Sequence, residues 1–424
     1  VELVEAALAV IDNRDGPLAA VVEVHPDEAR AAAEAADADR RAGRWHGALH
    51  GIPVTVKDVI DVAGFHTRAG SAAYARRADR DAEAVRRLRA AGAVVVAKVS
   101  THEFALGVTT PQSRNPHDAT RIPGGSSGGS AISVATGMAL ASLGTDTRAS
   151  IRVPAALSGV VGLKATFGAV PCSGIVSLSW TMDHVAPIAA SVGDAALVLD
   201  VLLGGGTGLP DSPPGPGLRI GVPEACFANA QPGVAAAVRT ALEQLTSRFG
   251  AEVQTVAEPS GASLDWAGAA GLVVSRCEAA AAHRSLGLDR SLYTAEVADQ
   301  LEAADAISAT DYLDAQRARS QLAERLGAVF AVVDVLAMPT APVVAPRVED
   351  CGRHLVTLAR NAIPWSFVGF PALSVPVGTV GGLPVGLQLV APPHREGLLV
   401  AAGLAVEAVV GRLPAPCSPE PALR

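Results

Sequence analysis

Three side chains stand out for the chemistry they could do together. Lys57 closes the run Gly51-Ile52-Pro53-Val54-Thr55-Val56-Lys57-Asp58. Ser126 sits 69 residues later in Gly124-Gly125-Ser126-Ser127-Gly128-Gly129-Ser130, and Ser150 a further 24 on in Gly144-Thr145-Asp146-Thr147-Arg148-Ala149-Ser150-Ile151-Arg152. A serine hydroxyl becomes a nucleophile only with a base beside it. A lysine serves as that base if burial lowers its pKa enough to leave it neutral. A second serine can relay the proton, and glycine-rich backbone can offer N–H donors to an oxyanion. The lysines are conspicuous for another reason: of 34 basic residues only Lys57, Lys98 and Lys164 are lysine. In a chain so biased towards arginine, a lysine can do what arginine cannot, which is lose its proton.

Other chemistries fit less well. The loop at 124–130 precedes a helix-like segment, as a phosphate cradle would, but lacks the Gly-Lys-Ser/Thr ending of a P-loop. Ser150 is flanked by Arg148 and Arg152, not by the glycines of a nucleophile elbow. There is no His-Glu-x-x-His, and the ten histidines show no ligand spacing, so no metal is expected. The five cysteines, 172, 226, 277, 351 and 417, form no Cys-x-x-Cys pair and fit a reducing, cytoplasmic setting.

At this point the motifs resemble the amidase signature family. The matching pieces are the strand-then-lysine run 51–58, the Gly-Gly-Ser-Ser-Gly-Gly-Ser loop, and Gly-Thr-Asp-Thr-x-x-Ser-Ile-Arg-Val-Pro. The likeness extends through 159–164, Asp183-His184-Val185-Ala186-Pro187, 334–339 and 371–390. Asn115-Pro116-His117-Asp118 and Ala391-Pro392-Pro393 are similar to the carboxybiuret-hydrolase branch. The resemblance implies Ser150 as acylated nucleophile, Ser126 as relay on a cis peptide with Gly125, and Lys57 as base. It implies an oxyanion hole from the N–H groups of Thr147, Arg148, Ala149 and Ser150, supported by Ser127, Asp146 and Arg152. Substrate would meet Gly124, Gly125 and Arg148, with Phe104 and Trp180 as candidate acyl-pocket walls that could equally be plain core.

The implied reaction is hydrolysis of the C–N bond of a small or polar amide, without a cofactor. The low aromatic content of 4% agrees with a small or polar ligand. Two rival readings remain open: the A-type subunit of a glutamine-dependent amidotransferase, and a member that has lost catalysis and acts as a binding subunit. The second rests on a departure, because the family usually carries a Gly-Gly-like pair where this chain has Arg148-Ala149. Arg148 then points into the pocket, points outward, or impairs the hole. A homodimer or a small accessory subunit is a family expectation.

Elements must position these residues. With 49% hydrophobic and 18% charged residues the chain is core-rich and globular. A net charge of −8 argues against nucleic acid. The start, Val1 to Glu5, has no signal-peptide layout. The uncharged run 367–393 is broken by prolines and glycines and reads as two buried strands turning at Gly381-Gly382, not as a membrane span. Strands are expected at 19–24, 52–56 (Lys57 just past the end), 93–99, 218–222, 251–256 and 332–338. Helices are expected at 1–10, ending near Gly16-Pro17, and at 27–43, 81–91, 131–143, 192–203, 232–249, most of 267–326, and 398–410. The expected fold is α/β, a large mixed twisted β-sheet covered by helices on both faces. Residues 1–424 are expected to form one amidase signature domain, with a signature core over about 50–200 and a variable helical region over about 225–330. Lys98 and Lys164, lacking partner motifs, read as structural, and His184 as a core or loop histidine.

Overall fold

A computed structural model describes residues 1–416; Cys417 lies outside the described residues. Among the described residues there are thirteen strands: β1 (Val21–Val24), β2 (Pro53–Lys57), β3 (His66–Thr67), β4 (Arg76–Arg77), β5 (Val94–Val99), β6 (Ala141–Asp146), β7 (Val161–Lys164), β8 (His184–Ala189), β9 (Arg219–Pro223), β10 (Glu252–Val256), β11 (Val335–Pro339), β12 (Ala372–Val380) and β13 (Leu383–Val390). Eleven of them make one sheet in the order β1-β5-β2-β6-β8-β7-β12-β13-β11-β9-β10, and β3 and β4 pair separately. β5, β2 and β6 run parallel, as do β11, β9 and β10, with antiparallel pairs between the two groups. The sheet is mixed, as the sequence led us to expect.

Helices cover both faces, and adjacent residues of β12 show it. Successive strand side chains point to opposite faces. Leu373 meets the helix Glu396–Val410: a Cβ placed on Gly403 would lie 2.3 Å from Leu373 Cδ2. On the other face, a Cβ on Gly386 of β13 would lie 2.6 Å from Ala156 of the helix Arg152–Ser158 and 2.9 Å from Ser374 Oγ. The glycines let helix and strand approach to backbone distance. Central strands buried on both faces read as continuous apolar runs, and β2, β5, β6 and β13 are buried along their whole length.

One expected element is corrected. The apolar stretch 131–143 is not a single helix. The helix Gly128–Ala135 stops before Gly137, which has φ +80°, and β6 begins at Ala141. Short apolar runs carry no period that separates buried helix from buried strand. Pairing decides here, because β6 fills the slot between β2 and β8. Lys57, expected just past its strand, is the last residue of β2.

Candidate active site

β2 and β6 are parallel neighbours, and their carboxyl ends carry Lys57 and Asp146. Ligands of open α/β sheets gather at this edge. The loop from β6 leads through Thr147, Arg148, Ala149 and Ser150 into the helix Arg152–Ser158. The loop 124–127 leads into the helix Gly128–Ala135 and lies over the same edge. The Gly125–Ser126 peptide is cis. Two glycines permit the close packing of this loop. A Cβ on Gly125 would sit 1.9 Å from Thr109 O, and one on Gly129 2.5 Å from Ser100 N.

Lys57 is fully buried, and its Nζ donates to Ser126 Oγ at 2.7 Å and to Thr145 Oγ1 at 2.7 Å. Burial pulls its pKa down to about 7, against the opposing pull of Asp146 and Asp183. Such a lysine is substantially neutral near pH 7. Ser127 N–H donates to Ser150 O at 3.2 Å, and Ser127 Oγ donates to Thr145 O at 3.1 Å, which pins the two serine loops to each other.

The loop before Ser150 is held from beneath. Arg152, fully buried, pairs with Asp146 at 3.0 Å, donates to Arg148 O at 3.3 Å and reaches Gln388 Oε1 on β13 at 2.7 Å. Asp146 Oδ2 accepts from Ile151 N–H at 3.2 Å. Arg152 holds the Asp146 carboxyl well below the usual carboxylate range, against the burial that alone would raise it. Thr147 Oγ1 donates to Asp183 Oδ1 at 2.6 Å. Burial raises the Asp183 pKa, although the carboxylate also accepts from Ser177 Oγ and from the N–H groups of Leu178 and Ser179.

Neither Arg148 nor Ala149 has a positive φ, so the turn forms without the glycine pair. Among the described residues, the N–H groups of Thr147, Arg148, Ala149 and Ser150 have no protein acceptor, and neither does the Ser150 hydroxyl have a protein partner. Ser150, 5% exposed, lines a narrow cavity of about 50 Å³ together with Thr147, Arg148, Leu178, Leu272 and Gln300. That cavity shares Leu106, Arg148, Leu272 and Gln300 with a wider chamber of about 660 Å³.

The structure therefore gathers Lys57, Ser126, Ser127, Asp146, the run Thr147–Ser150 and Arg152. It does not bring Phe104 or Trp180 to the cavity. Phe104, 1% exposed, packs edge-on against His283 at 4.4 Å and against Tyr293 at 5.3 Å, and is core. Trp180, 54% exposed, lines a separate hollow beside Glu278 and Tyr312. Gly124 and Gly125 lie behind the serines, packed on Pro154 and Thr109, and do not line either cavity. Sequence reasoning missed Thr145 and Asp183. Thr145 carried a signal, since it lies one residue before Asp146 in the same motif. Asp183 belonged to a noted stretch, but nothing local marked it as the acceptor of the Thr147 hydroxyl. Lys98 and Lys164 are buried as well. Lys98 pairs with Asp58 at 3.1 Å, and Lys164 donates to Phe370 O at 2.6 Å. His184 is a buried histidine whose Nδ1 lies 2.7 Å from Met182 O.

Among the described residues no cluster suits a metal ion, and no helix is long and apolar enough to cross a membrane. Comparison with known proteins points to one family over nearly the whole length. A model of the Amidase family matches residues 2–400. An amidase of Pseudomonas putida is 40% identical, over 96% of this chain and 92% of its own. The A-type subunit of the glutamyl-tRNA(Gln) amidotransferase of Chloroflexus aurantiacus is 38% identical, over 95% of this chain and 92% of its own. A crystal structure of an amidase superposes with a TM-score of 0.89 at 36% identity, covering 96% of each chain. The chain belongs to the Amidase family of amide-hydrolysing enzymes.

Proposed function

We propose that this chain hydrolyses the amide bond of a small or polar amide through a seryl acyl-enzyme, with Ser150 as nucleophile, Ser126 as relay and Lys57 as base. The observation that carries the reading is the buried Lys57 amine, bonded to Ser126 at 2.7 Å with its pKa drawn to about 7. The neutral amine takes the Ser126 proton as Ser126 takes that of Ser150, and Ser150 Oγ bonds to the amide carbon. The unpaired N–H groups of 147–150 receive the oxyanion. Collapse returns the proton through Ser126 to the leaving nitrogen, and the C–N bond breaks. Water then enters by the same relay, and the acyl group leaves as a carboxylic acid. The contact between the two serine hydroxyls forms on substrate binding, as catalytic hydrogen bonds commonly tighten in the complex. No cofactor takes part.

The test is ammonia release from a panel of small primary amides, with Ser150→Ala and Lys57→Ala as controls. Turnover lost in both variants supports the reading; turnover that survives in Ser150→Ala contradicts it. The similarity to an amidotransferase component favours a second reading, in which the ammonia is passed to a partner chain. Glutamine hydrolysis that needs a co-purifying partner would select it. The third possibility, a binding subunit without catalysis, loses its ground at Arg148-Ala149, because that turn leaves the loop N–H groups free.

A further inference from the structure

The chamber in front of Ser150 contains arginines without counter-ions. Arg148 lines both the narrow cavity and the wider chamber, and Arg276, on the helix Gly261–Leu286, lines the chamber from the opposite element. Neither has an ion-pair partner among the described residues. Among the described residues the Arg148 side chain makes a single hydrogen bond, a long one of 3.5 Å to Gly268 O. The Nε atoms of Arg148 and Arg276 are buried and have no hydrogen-bond partner at all. A guanidinium keeps its charge at any physiological pH, and leaving its donors unmatched in a partly buried setting costs stability. Burial and the neighbouring Arg276 charge lower the Arg148 pKa to about 10, which still leaves it cationic. Two like charges held together with idle donors are the arrangement of a site built for an anion.

The acids of the chamber do not fill that role. Asp265 is paired with Arg360 at 2.6 Å, and Glu296 faces His102 at 3.4 Å. Asp299 is exposed at the rim. None of the three lines the narrow cavity that holds Ser150, where Arg148 is the only charged residue among the described residues. The charged group that a ligand meets inside that narrow cavity is therefore the Arg148 guanidinium.

We propose that the substrate is an amide that carries a carboxylate, and that Arg148 and Arg276 hold this carboxylate while the amide carbon lies at Ser150. The inference rests on the hydrolase reading above for the reaction, but not for the binding site itself. Because Arg148 lines the same narrow cavity of about 50 Å³ as Ser150, the link between carboxylate and amide is short, as in a monoamide of a small dicarboxylic acid. Arginine suits this task better than lysine, since its planar fork meets both carboxylate oxygens.

Binding is read first without turnover. Succinate is titrated by calorimetry into Ser150→Ala. We expect saturable binding that weakens by about tenfold or more when Arg148→Met or Arg276→Met is added, in line with the loss of a charge-assisted pair. Arg148→Lys and Arg276→Lys, which keep the charge, should recover part of it and guard against misfolding as the cause. Turnover is read second. The ratio of kcat/KM for succinamate to that for butyramide, its neutral match, should be about tenfold or more and should fall towards one in Arg148→Met. Folded Ser150→Ala that binds no succinate, together with equal use of the two amides, overturns the proposal while leaving the hydrolase reading intact. Succinate binding with the expected variant losses, but with no turnover and no labelling of Ser150, upholds the anion site and removes the hydrolase reading.

Discussion

At the residue scale the account turns on the charge of one amine. Lys57 is depressed from 10.5 to about 7 because it is fully buried, and its Nζ lies on Ser126. It works as a base only when neutral. As pH falls through about 7 the amine takes a proton, loses its lone pair and can no longer accept from Ser126. The pH profile of kcat/KM should therefore rise through an apparent pKa near 7 and level off above it. Replacing Lys57 by Ala should cost about 10³-fold in kcat/KM and remove that rising limb. This residue was legible in the sequence because two signals met on it, a motif and a near absence of lysine elsewhere. The rarity alone did not discriminate. Lys98 and Lys164 are as deeply buried, yet they pair with Asp58 and with backbone carbonyls and lack a serine partner. Spacing along the chain cannot report which buried lysine meets a serine. The aromatic candidates failed for a related reason, since Phe104 and Trp180 were chosen by type, and type does not say which wall a ring faces.

At the scale of elements, two devices hold the serine loops in place. The first is the Arg152–Asp146 pair, both members fully buried, which ties β6, the Ser150 loop and Gln388 of β13 together. Removing one partner of a buried ion pair strands the other charge. Arg152→Met should cost about 3–5 kcal/mol of stability. The lower urea midpoint of the variant would measure it, and an unchanged midpoint would refute the role. The second device is the approach of Gly125 to Thr109. Gly125→Ala would place a Cβ 1.9 Å from Thr109 O, so the loop must shift. We expect a loss of about 1–3 kcal/mol, read by the same titration, together with loss of activity. The helix and strand that follow the loop show where sequence reading runs out. Residues 131–143 are apolar or small throughout, so no periodicity separates the helix Gly128–Ala135 from β6, and only the pairing of β6 with β2 and β8 settles it. The long amphipathic helix Pro232–Phe249 was readable to its ends, because Pro lies at its start and Gly250 at its C-cap.

At the scale of the molecule, the sheet order decides what can fold by itself. β12 and β13, from residues 372–390, sit between β7 and β11 and join the two parallel halves of the sheet. β1, from residues 21–24, is at one edge, and β10, from residues 252–256, is at the other. We propose that the chain unfolds as one unit. A truncation ending before residue 372 would expose the edges of β7 and β11, and unpaired apolar edges aggregate. Such a fragment should aggregate under conditions where the full chain stays in solution; a soluble, folded fragment would show that residues 1–371 are independent of the rest. The strands were visible in the sequence but their order was not, because pairings across hundreds of residues leave no local trace.

The central claim is that Lys57, Ser126 and Ser150 form one activated set, and intact-mass labelling with a serine-directed fluorophosphonate tests it most directly. The account predicts one adduct per chain, located on Ser150, absent from Ser150→Ala and strongly reduced in Lys57→Ala. Folded protein that takes no adduct, or takes one equally well without Lys57, would contradict it.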